Sequence, residues 1–208
     1  MDRELELASQ VQTRLLPHTF PVLEVLDIYL TVKQGKFVGI DYCDFLKLSD
    51  NVLLIVLADV SGHGAPAALS MSEVHATIQL PASMHRELVD LIQQLNALLY
   101  HSTDSRSFVT FFAAEIKTAS RSMTYVNAGH PSPLICSNGK IRPLSQGTLP
   151  LGITVSFPQF FHYSEEFSPD SIFVSYTDGI LERTNSEGGT IWRRKASRMC
   201  ANECPSGN

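Results

Sequence analysis

The strongest constraint on the fold is an apolar run at residues 51–58 that ends in a charged, glycine-rich segment. A run of this length predicts a buried strand. Residues 59–64, DVSGHG, follow it, so the carboxylate of Asp59 lies at a strand end where small residues let a phosphate or a hydrated metal approach the backbone. The alternative is a strand end before a helix that Asp59 or Ser61 caps.

Two further acidic segments have the same character. Residues 171–176 predict another strand, and Asp178 lies beside a glycine just after it. Asp41 and Asp44 lie within residues 39–45, just before the alternating pattern that leads into the apolar run. Carboxylate oxygens are preferred ligands of Mg²⁺ and Mn²⁺, so these sites predict one divalent-cation cluster if they converge. A solvated turn is the alternative for Asp41 and Asp44.

Seven motifs occur in order along the chain. They are residues 12–17 with Pro21, 38–45, 59–71, 108–110, 127–131 (NAGHP), 149–152 (LPLG) and 176–182 (YTDGILE). In this order they resemble the metal-dependent type 2C (PPM) serine/threonine phosphatases, in the bacterial branch of SpoIIE/RsbU-type regulators. The resemblance implies an α+β fold, a two-sheet antiparallel β-sandwich flanked by helices.

The resemblance also implies a chemistry, which is hydrolysis of a phosphoserine or phosphothreonine by water activated between two Mn²⁺ or Mg²⁺ ions. Asp59 would be the bridging ligand and the carbonyl of Val60 a further oxygen ligand. Asp178 would lie on one metal and Asp41 near the other. His130 is expected to fix a tight turn, and a role near the substrate is left open.

The expected partners also follow from the resemblance. The substrate would be a small regulatory phosphoprotein of the anti-sigma-factor antagonist type. Residues 1–20 would form a linker helix that in relatives joins an upstream sensor or receiver domain, and a homodimer is left open. Residues 21–187 would be the phosphatase-like domain.

Residues 188–208 form an atypical tail in which the resemblance stops. Relatives continue with a helix and a strand that supplies another aspartate ligand, so the domain is expected to be C-terminally truncated. Codons that encode residues 189–196 can, one base forward, encode Glu-Arg-Tyr-Gly-Glu-Glu-Arg, which is similar to the segment of the relatives. A frameshift or a sequencing error near Gly189 is therefore the hypothesis.

The local patterns predict a specific order of elements. Helices are expected at residues 3–16, 66–79 and 86–101 from their apolar stripes. Strands are expected at residues 26–32, 42–48, 52–60, 107–117, 123–127, 133–136, 161–167 and 172–177, with a turn at residues 138–139. Strands, then paired helices, then a series of strands indicate an α+β fold and not βαβ units.

Composition excludes several classes of protein. The formal net charge is -5 and no Lys/Arg cluster occurs before residue 193, so nucleic-acid binding has no electrostatic support. No apolar run reaches the roughly 18 residues of a membrane span. The four cysteines have no zinc-type pairing, which indicates free thiols and a cytoplasmic protein.

A second function stays open, that of a catalytically impaired, truncated relative acting as a binding module. The missing terminal aspartate favours it, as does Ile40, where relatives usually have a second glycine. A hydrolase with a serine nucleophile would need a Gly-x-Ser-x-Gly elbow, which the sequence lacks.

Overall fold

The computed structural model describes residues 12–32, 40–62, 64–82, 87–103, 107–157 and 162–181 of the chain. The chain divides into two compact units. The first comprises Met1–His130 and Gly147–Glu165, and the second comprises Pro131–Gln146 and Glu166–Asn208. In chain order, the elements are β1 (Asp41–Ser49), β2 (Val52–Val60), α1 (Ala65–Ala82), α2 (Leu88–Ser102), β3 (Val109–Lys117), β4 (Ser122–Ala128), β5 (Leu134–Ser137), β6 (Lys140–Pro143), β7 (Tyr163–Glu166), β8 (Ile172–Val174) and α3 (Asp178–Leu181).

The first unit is built on a five-stranded sheet in the order β1-β2-β3-β4-β7. Strand β2 is buried along nearly its whole length, which explains why its sequence is a continuous apolar run and not an alternating one. Leu54, Val56 and Ala58 belong to the hydrophobic core together with apolar residues of α1 and α2. On α1 these residues recur at helical spacing, as Met71, Val74 and Ile78 do.

The register of the β1–β2 hairpin decides which side chains meet at its open end. The two strands are antiparallel and joined through residues 50–51, and Asp41 is the direct partner of Asp59. The register shifts between Lys47 and Ser49, so a bulge near the turn sets the pairing along the rest of both strands. Lys47 and Asp50 form an exposed ion pair of 2.8 Å there.

The second unit contains an antiparallel sheet in the order β6-β5-β8. Strands β5 and β6 are joined at Asn138 and Gly139, with φ angles of 52° and 70°. Two consecutive positive φ values are typical of the tight hairpin turn that Asn-Gly favours. The Tyr176 hydroxyl donates to the Ser132 carbonyl at 3.0 Å, which ties the segment after β8 to the segment before β5.

The structure confirms the α+β class with two antiparallel sheets and helices, and most of the predicted elements. The strand predicted at residues 26–32 is wrong, because Leu26 makes only an isolated bridge to Leu23. Val25 and Tyr29 are 70% and 90% exposed, so no strand of the described part of the chain covers their side chains. Strand β6 was not predicted, and β8 ends at Val174, before residue 177.

Two further expectations meet different outcomes. Of the predicted N-terminal helix, residues 12–16 lie within the described ranges; residues 12–13 are helical, whereas residues 14–16 form a turn and a bend, so the helix ends earlier than predicted. Cys43 is a free thiol as predicted, whereas Cys136 on β5 is disulfide-bonded, so the expectation of free thiols is wrong there because sequence spacing does not reveal which cysteines meet in space. In the described part of the chain, no helix combines the length and the apolar character that crossing a membrane needs.

Candidate metal centre

The candidate site begins with two aspartates opposite each other at one end of the five-stranded sheet. Asp41 is the first residue of β1 and the cross-strand partner of Asp59 on β2. Direct partners point to the same face, with Cβ atoms about 4.5–5.5 Å apart. Asp59 is only 8% exposed, and like charges in such positions repel each other. A cation between the two carboxylates would remove that repulsion.

The row of polar residues extends across a third strand. Thr110 on β3 is the direct partner of Asp59, so Asp41, Asp59 and Thr110 form one line across three strands, here called the polar row. The next line on the same face is apolar and consists of Cys43, Leu57 and Phe112. The polar row therefore lies at the border of an otherwise apolar surface, where hydrophobic packing does not account for it.

Thr110 is hydrogen-bonded to a histidine that a short turn presents to it. Thr110 Oγ1 and His130 Nδ1 are 3.0 Å apart, and His130 is only 4% exposed. The turn is closed by Asn127, whose Oδ1 accepts from the His130 N–H at 2.8 Å. Asn127 Nδ2 donates to the His130 carbonyl at 3.1 Å. The NAGH motif thus forms a closed loop that fixes one imidazole.

The LPLG segment supports this turn from the other side. The Thr148 N–H donates to the Asn127 carbonyl at 2.8 Å. Gly129 has a φ of 69°, and a Cβ there would lie 2.5 Å from Pro150 Cγ. Only glycine is compatible with both the backbone angle and this close approach. Asn96 of α2 then holds the segment by accepting from the Gly152 N–H at 3.0 Å.

The turn after β2 is open towards the solvent. Gly62 and Gly64 have φ angles of 96° and 76°, and an added Cβ would meet no atom within 4 Å at either position. The Ser61 hydroxyl accepts from the Phe108 N–H at 2.8 Å, which links this turn to the residue before β3. His63 lies outside the described residues. The backbone at Gly62 and Gly64 therefore leaves open space beside it.

Asp44 has a different task from Asp41, although both are on β1. It is buried at 7% exposure, so the interpretation as a solvated turn is wrong for it. Asp44 Oδ2 accepts from the Tyr42 hydroxyl at 2.8 Å and from Gln79 Nε2 at 2.6 Å. These bonds join β1 to α1 on the opposite face from the polar row, since side chains alternate along a strand.

The buried groups beside Asp44 remain protonated at neutral pH. Burial, followed by the negative charges of Asp44 and Asp41, raises the pKa of the Cys43 thiol to about 12. Burial also raises the pKa of the Tyr42 phenol far above its ordinary value, and the charge of Asp44 adds to this. Tyr42 is therefore a stable hydrogen-bond donor to Asp44.

The remaining predicted ligands lie as follows. Val60 is the last residue of β2, and its N–H donates to the Ile40 carbonyl at 3.2 Å. Asp178 is in the second unit and is described within that unit. It is exposed and begins the four-residue helix α3, so the expectation of a strand end directly before it is corrected.

The chemistry of the donors in the first unit suits a hard divalent cation. Two carboxylates with neighbouring main-chain carbonyls, completed by water, are the oxygen ligands that Mg²⁺ and Mn²⁺ prefer. Within the described ranges, no group of three or more His, Cys, Asp or Glu side chains assembles as a metal cluster. The pair of Asp41 and Asp59 is therefore the part of the predicted site that the structure brings together.

The sequence interpretation did not include Thr110 as a site residue. The signal was present, because Thr110 ends one of the seven motifs and His130 lies within another. Their contact joins residues 20 positions apart through a register that no sequence pattern gives. Only the pairing of β2 with β3 reveals that Thr110 lies beside Asp59.

Comparison with known proteins agrees with this architecture. The family described as Stage II sporulation protein E (SpoIIE) matches residues 49–206, a range that includes most of the atypical tail. Phosphoserine phosphatase RsbU of Bacillus subtilis (strain 168) is 30% identical over 200 residues, which are 94% of this chain and 58% of RsbU. The chain thus spans little more than half of that relative.

Two solved structures illustrate the fold. The SiaA-PP2C domain of Pseudomonas aeruginosa has a TM-score of 0.70 at 18% identity, covering 95% of this chain and 80% of the other. RsbX, crystallised in complex with magnesium, has a TM-score of 0.61 at 19% identity, covering 84% and 86% of the two chains. At these identities the likeness concerns the fold.

Proposed function

The chain belongs to the SpoIIE family, and on that premise we propose that it is a Mn²⁺- or Mg²⁺-dependent phosphatase acting on a phosphoserine or phosphothreonine. The observation that carries the proposal is the direct pairing of Asp41 with Asp59 at an open sheet end. Two facing carboxylates without a cation would cost stability, whereas the same pair is a ready site for a divalent ion. The phosphoserine phosphatase activity of RsbU supports the reaction class.

The residues of this chain have distinct tasks in the proposed reaction. Asp59 and Asp41, with the carbonyl of Val60, would hold the metal, and we assign Asp178 as a further ligand on the family motif. The bound ions would supply an activated water near neutral pH and offset the charge of the phosphoryl group. Gly62 and Gly64 carry no side chains at their own positions in the adjacent turn, which leaves space there for the phosphoryl group to approach.

The proposed substrate is a small regulatory phosphoprotein of the anti-sigma-factor antagonist type. The support is the similarity to RsbU, together with an acidic chain that offers no electrostatic basis for nucleic-acid binding. An upstream sensor or receiver domain would be the partner that controls activity. A substrate screen with phosphorylated antagonist proteins, against free phosphoserine as the control, tests this assignment.

Phosphate release under metal titration tests the proposed activity. With p-nitrophenyl phosphate and a phosphoserine peptide, we expect hydrolysis that depends on Mn²⁺. Asp59→Asn should lower the rate of phosphate release by more than about 100-fold. Removing a residue that only hydrogen-bonds to a metal ligand already costs up to about 100-fold, and here the ligand itself is lost. Asp50→Asn is the matched control, since Asp50 is an exposed carboxylate that pairs only with Lys47 among the described ion pairs.

A second candidate is a binding module that keeps the metal but does not turn over. The observation that favours it is that the described residues bring together two carboxylates and no larger cluster. The same samples distinguish the two functions. Mn²⁺ binding without phosphate release would support the binding module, and release that disappears in Asp59→Asn would support the phosphatase.

A further inference from the structure

The ring of His130 is buried for a reason other than closing its turn. Asn127 already closes the turn through the main-chain N–H and carbonyl of His130. The imidazole instead extends to Thr110, and it is 96% buried. Burial of a polar ring costs free energy unless its bonds serve the structure around it. The contact with Thr110 is therefore the feature to be explained.

Thr110 connects this imidazole to the polar row. Its side chain lies on the same face as the Asp59 carboxylate, because the two residues are direct partners on β2 and β3. A hydroxyl has one hydrogen to donate and two lone pairs that accept. If Nδ1–H of the histidine donates to Oγ1, the hydroxyl hydrogen is available to an acceptor other than the ring, and the nearest carboxylate in the polar row is that of Asp59.

We propose that His130 is a positioning residue for Asp59. In this proposal Nδ1–H donates to Thr110 Oγ1, and in the metal-bound state the Thr110 hydroxyl donates to the neighbouring Asp59 carboxylate and holds it in the orientation that binds the metal. This inference rests on the proposed metal site. Removing a group that orients a metal ligand in this way typically lowers metal affinity by about 10–100-fold.

Direct measurement of Mn²⁺ binding, by the electron paramagnetic resonance signal of free Mn²⁺, tests the proposal without reliance on activity. Thr110→Val keeps the shape and removes the hydroxyl, so we expect affinity to fall about 10–100-fold. His130→Ala should cause a similar loss. Thr110→Ser should bind Mn²⁺ nearly as well as the parent chain, because it keeps the hydroxyl. His130→Asn should do the same, because its side-chain amide can donate from nearly the position of Nδ1. Thr124→Val is the control, because Thr124 pairs with Glu115 on the other face of the sheet.

The double variant shows whether the two residues act in series. Thr110→Val with His130→Ala should bind Mn²⁺ no more weakly than either single variant, whereas independent contributions would add. Circular dichroism establishes that each variant is folded, and Thr110→Val alone decides the question if His130→Ala does not fold. Normal Mn²⁺ affinity in Thr110→Val would overturn this inference while leaving the metal site intact. Unchanged binding in Asp59→Asn would overturn the proposed function and this inference together.

Discussion

At the scale of single residues, neighbouring carboxylates on one strand serve different ends. Asp41 and Asp44 are three positions apart on β1 and therefore point to opposite faces. One face presents Asp41 to Asp59, and the other presents Asp44 to Tyr42 and Gln79. In the sequence, both are acidic residues of one motif. Only the alternation of side chains along the strand distinguishes Asp41, the proposed metal ligand, from Asp44, which has a structural role.

Substitution of these two aspartates should separate metal binding from stability. Asp41→Asn is expected to weaken Mn²⁺ binding without lowering the free energy of unfolding of the metal-free chain, because Asp41 is exposed and its charge faces that of Asp59. Asp44→Asn should cost about 1–3 kcal/mol of stability, since the amide cannot accept all the hydrogen bonds that the carboxylate accepts. Urea denaturation and Mn²⁺ titration of both variants test this. Equal effects of the two substitutions on metal affinity would contradict it.

Buried protons on β1 make the fold sensitive to alkali. The pKa of Cys43 rises from an ordinary value of 9.0 to about 12 on folding, and that of Tyr42 is also raised. The folded state therefore keeps protons that the unfolded state releases above about pH 9. Stability should fall between pH 9 and pH 12, by up to about 1.4 kcal/mol per pH unit for each group.

Urea denaturation across this pH range measures the slope. Cys43→Ala and Tyr42→Phe should each make it shallower, because each removes one retained proton. Cys136 does not contribute to this slope, because it is disulfide-bonded and does not titrate. A slope that is the same in the parent chain and in both variants would show that neither group is the cause.

At the scale of elements, two loops that are distant in sequence pack against and stabilise each other. The NAGH turn and the LPLG segment meet where Gly129 lies under Pro150. The motifs were visible in the sequence, but their contact was not, because nothing local specifies which loops pack together. Helices α1 and α2 were predicted from their apolar periodicity, β2 from its continuous apolar run, and β1 and β3 to β5 from strand-like apolar patterns. Strand β6 is exposed and has no such pattern.

Two glycines with nearly the same backbone angle provide a test of this loop contact. Gly129 and Gly139 have φ angles of 69° and 70°, but an added Cβ meets Pro150 at the first and open space at the second. Gly139→Ala should cost about 1–2 kcal/mol, the strain of the left-handed conformation. Gly129→Ala should cost about 1–3 kcal/mol more, because the loops must also separate.

The same two glycine variants also test whether the loop contact supports the proposed metal site. Gly129→Ala is expected to lower Mn²⁺ affinity, since it displaces the turn that holds His130, and Gly139→Ala should leave affinity unchanged. The midpoints of urea unfolding give the difference in stability. Similar stability losses in both variants would mean that the close approach to Pro150 contributes nothing.

At the scale of the whole molecule, the proposed metal should stabilise the chain. A ligand that binds only the folded state adds about 2.7 kcal/mol at a concentration 100 times its Kd. For a chain of this size that corresponds to a rise in Tm of roughly 5–10 °C. Calorimetry with Mn²⁺ should show this rise, and a chelator should reverse it. The absence of a shift in the parent chain, or an equal shift in Asp59→Asn, would contradict the assignment.

The tail from residue 188 onward lies outside the described residues, and its origin stays a proposal. We propose a frameshift near Gly189, on the similarity of the alternative reading to the sequence of relatives. The nucleotides around this position decide it. Codons that cannot encode Glu-Arg-Tyr-Gly-Glu-Glu-Arg in the shifted frame would end the hypothesis.

The bulge near the β1–β2 turn has a consequence for how this chain tolerates change in length. Most of the length of β1 and β2 separates the turn at residues 50–51 from the paired aspartates, a span of about 25 Å. Because the turn and its bulge fix the register, one residue inserted or deleted there would place Asp41 on the wrong side of the sheet relative to Asp59. The amino-acid sequence of this turn is therefore free to vary. Its length is not, because the pairing of Asp41 with Asp59 at the far end of the hairpin depends on it.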